Sequence, residues 1–124
     1  MQIELRSITS IKPYPSNPRV NDDAVEAVAK SLQEYGFRQP IVVDPAGVVI
    51  VGHTRLKAAL KLGITDVPVH VATDLTAEQI RAYRLADNQT ASLSSWDFDL
   101  LPIEFGALKD ANTTLTYWGL IPTI

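Results

Sequence analysis

The run Val48-Val-Ile-Val51 passes directly into Gly52, and good helix formers follow from His53 to Leu62, stopping at Gly63. A β-branched run without polar alternation reads as a strand buried on both faces. A single glycine then joins strand to helix, so the two elements must meet at a tight corner. Helices packed against a sheet follow, and a small mixed α/β domain is the class expected.

The remaining elements fit that class. Residues 2–8 alternate polar and apolar, as a short strand does. Pro13, Pro15 and Pro18 forbid a helix in the next stretch, so Ile11 to Arg19 is expected to be extended and stiff. Val25, Val28, Ala29 and Leu32 recur at helical spacing within 22–35. Gly36 is a natural stop for that helix. Pro40-Ile-Val-Val-Asp44 and Val48–Val51 flank Pro45-Ala-Gly47 and read as a hairpin. Val67-Pro-Val-His-Val71 is a further strand, and Pro68 places it at a sheet edge or marks a strand start. Thr76-Ala-Glu-Gln79 is a capping box opening a helix to about Asn88. Asp97 is expected to cap a short helix over 98–109, with Trp96, Tyr117 and Trp118 as tail core. His70 reads as a structural strand residue.

Composition narrows the chemistry. No cysteine is present, which removes disulfides, zinc-thiolate sites and a cysteine nucleophile together. The apolar share of 46% and charged share of 20% are those of a globular chain. The net charge of −3 argues against holding DNA by charge alone. Its distribution is uneven: residues 1–62 sum to +2 and residues 63–124 to −5, so an anion site belongs in the first half. No apolar run approaches the roughly 18 residues of a membrane span, and the expectation is a soluble cytoplasmic protein.

The corner at Gly52 is the sharpest chemical signal. A helix N-terminus presents unpaired N–H groups and a partial positive charge. Gly52 lets an anion approach the backbone, and Arg55 adds a planar, bidentate donor. His53, Thr54 and Lys57 stand beside it. The same residues also suit an ordinary strand–helix turn with a solvated arginine. Arg19, on the stiff Asn17-Pro18-Arg19 loop, and the Gly36-Phe-Arg38-Gln39-Pro40 connection are further candidates for this pocket. Asp87 and Asn88 offer a carboxylate and an amide for Mg²⁺ or a ribose, or a helix C-cap at Asn88. No Walker loop, paired-histidine zinc motif or dinucleotide-type glycine triplet is found.

Three stretches, taken in order, resemble the ParB N-terminal domain, of the ParB/sulfiredoxin fold. They are Asn17-Pro18-Arg19, Gly36–Pro40 followed by Ile41-Val42-Val43, and Val51-Gly52-His53-Thr54-Arg55-Leu56-Lys57-Ala58-Ala59. The resemblance implies a mixed sheet flanked by helices, with a mostly helical tail. It makes Gly36–Pro40 the segment that contacts base and sugar. It makes Gly52–Lys57 the counterpart of a Gly-Glu-Arg-Arg-x-Arg box that binds the CTP triphosphate. It makes Asp87 and Asn88 the counterpart of a Glu-Asn pair holding Mg²⁺ and phosphate. His53 stands where the box has Glu, Thr54 where it has the first Arg, and Lys57 where it has the last. The first change bears on hydrolysis of the nucleotide, the second on how tightly a triphosphate is held. Sulfiredoxins carry their catalytic Cys at the position of His53, so sulfinic-acid reduction is excluded here.

Leu85-Ala-Asp-Asn88, Ser95-Trp-Asp97 and Tyr117-Trp-Gly-Leu120 resemble the ParB-like module of phage and prophage DNA methyltransferases. No methylase motif is present, so the chain would be the module alone, natural or cut from a longer protein. The domain expected over 1–90 binds CTP or another nucleoside triphosphate, with an extension over 91–124 packed on it. It would act with DNA or a DNA-modifying enzyme, with a homodimer as a further option and no membrane partner. The alternatives are a metal-dependent ParB-like nuclease or NTPase, using Asp87 with Asp44 or Asp74, and a degenerate interaction domain.

Overall fold

The computed structural model describes residues 1–16, 22–93 and 97–110. Four strands, β1 (Glu4–Ser7), β2 (Ile41–Val43), β3 (Val49–Val51) and β4 (Asp66–Val71), form one sheet in the order β1-β4-β2-β3. β1 runs antiparallel to β4, β4 parallel to β2, and β2 antiparallel to β3. The helices are α1 (Asp22–Tyr35), α2 (His53–Leu62), α3 (Ala77–Leu93) and α4 (Leu101–Asp110). The mixed sheet with flanking helices is the class the sequence implied.

The apolar runs explain the layering. Ile41, Val43 and Val49 point to one face of the sheet, where Leu56 and Ala59 of α2 cover them, and α1 packs in turn on α2. Ile50 points to the other face and meets Ile80 of α3, with Val42 and Val51 beside it. β2 and β3 are thus covered on both sides, as their lack of polar alternation requires. In the hairpin turn the Asp44 side chain accepts hydrogen bonds from the N–H groups of Ala46 and Val48, both at 2.9 Å. Lys12 closes the outside of β3: its N–H donates to Gly47 and its carbonyl accepts from Val49. The extended segment expected from the prolines is present over 11–14, the chain turns at Pro15 and Ser16, and Asn17, Pro18 and Arg19 lie outside the described residues.

Two expectations change. β4 is an interior strand, so Pro68 does not mark an edge. Register with β2 begins only at Ile41↔Val69, one residue after Pro68, so no ladder partner meets the missing N–H. The capping box forms as expected, with Thr76 Oγ1 accepting from the Gln79 N–H and Gln79 Oε1 from the Thr76 N–H. The helix it opens runs on to Leu93, however. Asn88 is followed by neither glycine nor proline, so nothing stops the helix there, and Asn88 is not its cap. Further on, Asp97 accepts from the N–H groups of Asp99 and Leu100 and leads into α4. Tyr117, Trp118 and Trp96 lie outside the described residues. No described helix is long and apolar enough to cross a membrane.

Gly47 and Gly63 give a matched pair for testing this account. Both have positive φ, +87° and +73°. A Cβ on Gly47 would stand 2.8 Å from the Ser10 carbonyl oxygen, whereas one on Gly63 would meet nothing within 4 Å. Gly63→Ala should cost about 1–2 kcal/mol from backbone strain alone. Gly47→Ala should cost more than that, because backbone must also move. Urea unfolding of the two variants checks the order.

Candidate functional site

Gly52 is where the site is made. It holds φ +109°, a conformation that side-chain-bearing residues rarely adopt. A Cβ there would come within 3.4 Å of the Ile41 Cα and 3.1 Å of Arg55 Nη2. The absent side chain lets β3 turn into α2 while lying against the start of β2. The first α2 residues follow with no side-chain cap and no acidic residue in the first turn. α3 is the contrast, with its reciprocal capping box and Glu78 in the first turn. The N-terminal charge of α2 is left uncompensated by acidic side chains on its own first turn.

Arg55 folds back from that turn. Its Nη2 donates to the Pro40 carbonyl at 3.0 Å and Nη1 to Gln39 Oε1 at 3.2 Å. Its Nε is buried and has no hydrogen-bond partner among the described residues. Burial works against the guanidinium charge, and the Asp87 carboxylate on α3 works in its favour. The structure therefore brings together Gln39, Pro40, Gly52, His53, Thr54, Arg55 and Asp87, with half-buried Asn88 next along α3. Lys57 follows one position after Leu56 on α2 and is exposed. Arg38 turns back instead onto the end of α1, donating to the Tyr35 carbonyl at 2.8 Å over Gly36, whose φ of +83° ends that helix. Arg19 lies outside the described residues. Among those described, no three metal-ligating side chains gather.

His53 has a specific structural partner. Its Nε2 accepts the Tyr14 N–H at 3.1 Å, which requires that nitrogen to be unprotonated. Burial, then the charges of Arg84 and Lys57, hold its pKa below the ordinary histidine value. Tyr14 is fixed from its other side, since the Arg84 guanidinium lies 3.7 Å from its ring centroid. Arg84 is 8% exposed and donates Nε–H to the Val49 carbonyl. Tyr14 and Arg84 were not singled out from the sequence. The signal was present: Ile80, Arg84 and Asp87 fall at i, i+4 and i+7, on the one face of α3 that meets the sheet.

The fold and this corner define a small mixed α/β domain whose second helix opens beside a buried arginine. Residues 1–89 match the ParB N-terminal domain, and the chain belongs to that family. It is 34% identical over 80 residues to the ParB-like nuclease domain-containing protein YnaK of Escherichia coli, covering 64% of this chain and 92% of that one. It is 32% identical over 102 residues to the chromosome-partitioning protein Spo0J of Thermus thermophilus, covering 78% of this chain but only 35% of the relative. The structure of C-terminally truncated chromosome-partitioning ParB from Caulobacter crescentus, complexed with CTP-γ-S, superposes with TM-score 0.73 at 23% identity, over 90% of this chain and 65% of that one. Sulfiredoxin from Arabidopsis thaliana shares the fold at TM-score 0.56 and 23% identity, over 67% of this chain and 97% of that one.

The depressed His53 pKa gives stability a pH dependence of known sign. Above about pH 6.5 the imidazole is neutral in both folded and unfolded chains. As pH falls below that value the unfolded chain takes up the proton first, so stability is lost until the folded-state pKa is reached. His53→Gln should flatten this part of the profile. Urea midpoints at intervals between about pH 7.5 and 5, compared for the two proteins, check it.

Proposed function

We propose that this chain is a nucleoside triphosphate-binding ParB-type module that works with DNA, either directly or through a DNA-modifying enzyme such as a methyltransferase. The observation that carries the nucleotide reading is the buried, unpartnered Nε of Arg55 at the uncapped start of α2. A buried donor without a partner is costly, and a phosphate oxygen beside the helix N-terminus would relieve both deficits at once. Thr54 and Lys57 stand near the start of the same helix. Gln39 and Pro40, already joined to Arg55, would border the sugar and base. The CTP-γ-S bound by the Caulobacter relative supports a pyrimidine nucleotide as the first ligand to try. The DNA part rests on the partitioning relatives.

In this reading Mg²⁺ arrives with the nucleotide. Its ligands are mainly phosphate oxygens, with Asp87 as the protein carboxylate and Asn88 beside it. His53 does not replace the glutamate of the family's box in any proton-transfer role, because its Nε2 is already engaged by the Tyr14 N–H. The module is therefore a binder before it is a hydrolase.

Titration calorimetry with CTP, ATP, GTP and UTP, each with and without Mg²⁺, tests the reading. One nucleotide should bind selectively. Losing the charge-assisted bonds of Arg55 should weaken it roughly 10- to 100-fold in Arg55→Ala, with the helical circular dichroism retained. Asp87→Asn should remove the Mg²⁺-dependent part. Binding of none of the four, or equal binding by wild type and a folded Arg55→Ala, sinks the proposal.

A further inference from the structure

The two edges of the sheet are finished differently. At β3 the outer edge is closed, since Lys12 pairs with its backbone and Arg84 takes the Val49 carbonyl. At β1 no described strand other than β4 is paired, so its outer edge has no strand neighbour.

Backbone alternation shows which groups β1 presents there. In an antiparallel pair, successive residues direct their N–H and C=O alternately to the partner and away from it. Leu5 stands opposite Pro68, which has no N–H to give. The Ile8 N–H donates inward to Thr65. The inward set is therefore Glu4, Arg6 and Ile8, leaving the N–H and C=O of Ile3 and Leu5 facing outward. The Ala72 N–H bond to the Val43 carbonyl agrees, since it puts the even-numbered residues of β4 toward β2 and the odd ones toward β1.

The side chains are unusual for an open edge. Leu5 is 74% exposed and Ile3 53% exposed, on a stretch where a short edge strand would ordinarily be polar. Charges at edges normally repel a foreign strand. Here the two charges are opposite in sign and two residues apart, Glu4 and Arg6, paired through Glu4 Oε1 at 2.8 Å. A two-fold axis at Leu5 would set Glu4 of each copy opposite Arg6 of the other and Leu5 opposite Leu5. The pattern is complementary to itself and to few other strands.

We propose that two copies of this chain associate through β1, antiparallel about Leu5, extending the four-stranded sheet into one of eight. The outward N–H and C=O of Leu5 bond to those of the other copy, the leucines cover each other on one face, and the Glu4 and Arg6 pairs close the other. The contact is isologous, as two-fold pairing demands. It is small, below the roughly 1,200 Å² of standard interfaces, so the dimer forms reversibly and only at high concentration. It does not rest on the nucleotide reading, because β1 lies at the sheet edge opposite β3 and the α2 corner.

Sedimentation equilibrium of the full chain between about 10 μM and 1 mM tests it, a range suited to a weak interface. Wild type should move from monomer to dimer across that range. Glu4→Arg should weaken association roughly tenfold or more by setting like charges opposite each other, and the swap Glu4→Arg with Arg6→Glu should restore it. Leu5→Pro should abolish it by deleting the outward N–H. Thermal unfolding confirms that each variant is folded. If Leu5→Pro fails to fold, the charge swap still decides. A monomer at every concentration overturns the proposal. So does a dimer indifferent to these changes, which would place association on another face.

Discussion

The left-handed turn at Gly52 is the constraint on which the rest of the structure depends. β3 can pass into α2 in one residue only because no Cβ stands between that residue and Ile41. The corner fixes the height of α2 over the sheet, and α1 then packs on α2. It also decides where Arg55 can go. From the first turn of α2 the side chain has the carbonyl of Pro40 within reach, so this one residue ties helix and strand together. Fold and site share one piece of backbone geometry.

The start of α2 is locally positive although the chain's net charge is −3. Arg55, Arg84 and Lys57 gather around the start of α2, and none of the residues in its first turn is acidic. Arg84 works through geometry: it bonds the Val49 carbonyl, stacks on Tyr14, and so holds the segment that leads toward Asn17 and Arg19. The cost of burying the Arg55 charge is partly offset by Asp87.

How much of this was legible in the sequence depended on whether the determining contacts were local. The strand–glycine–helix corner, the hairpin and the capping box are set by neighbours in the chain, and each appears at its expected place. Pro68 was ambiguous because an edge strand and an interior strand not yet in register satisfy a missing N–H equally well. The run of α3 past Asn88 shows that an amide is a weak stop signal when helix-tolerant residues follow. Tyr14 and Arg84 are 70 residues apart, and neither has a distinctive neighbour. Their contact exists because α3 crosses β3 where the proline segment returns. Only the spacing of Arg84 from Ile80 and Asp87 betrayed it, as a charged residue on an otherwise sheet-facing stripe.

Position 53 links these threads. It is a histidine whose accepting nitrogen is spent on the Tyr14 N–H. A protonated imidazole would lose its bond to Tyr14, and the neutral histidine keeps it. Burial and the adjacent cations keep it neutral without needing any acid–base role. Its role here is structural: it pins the Tyr14 segment against the corner.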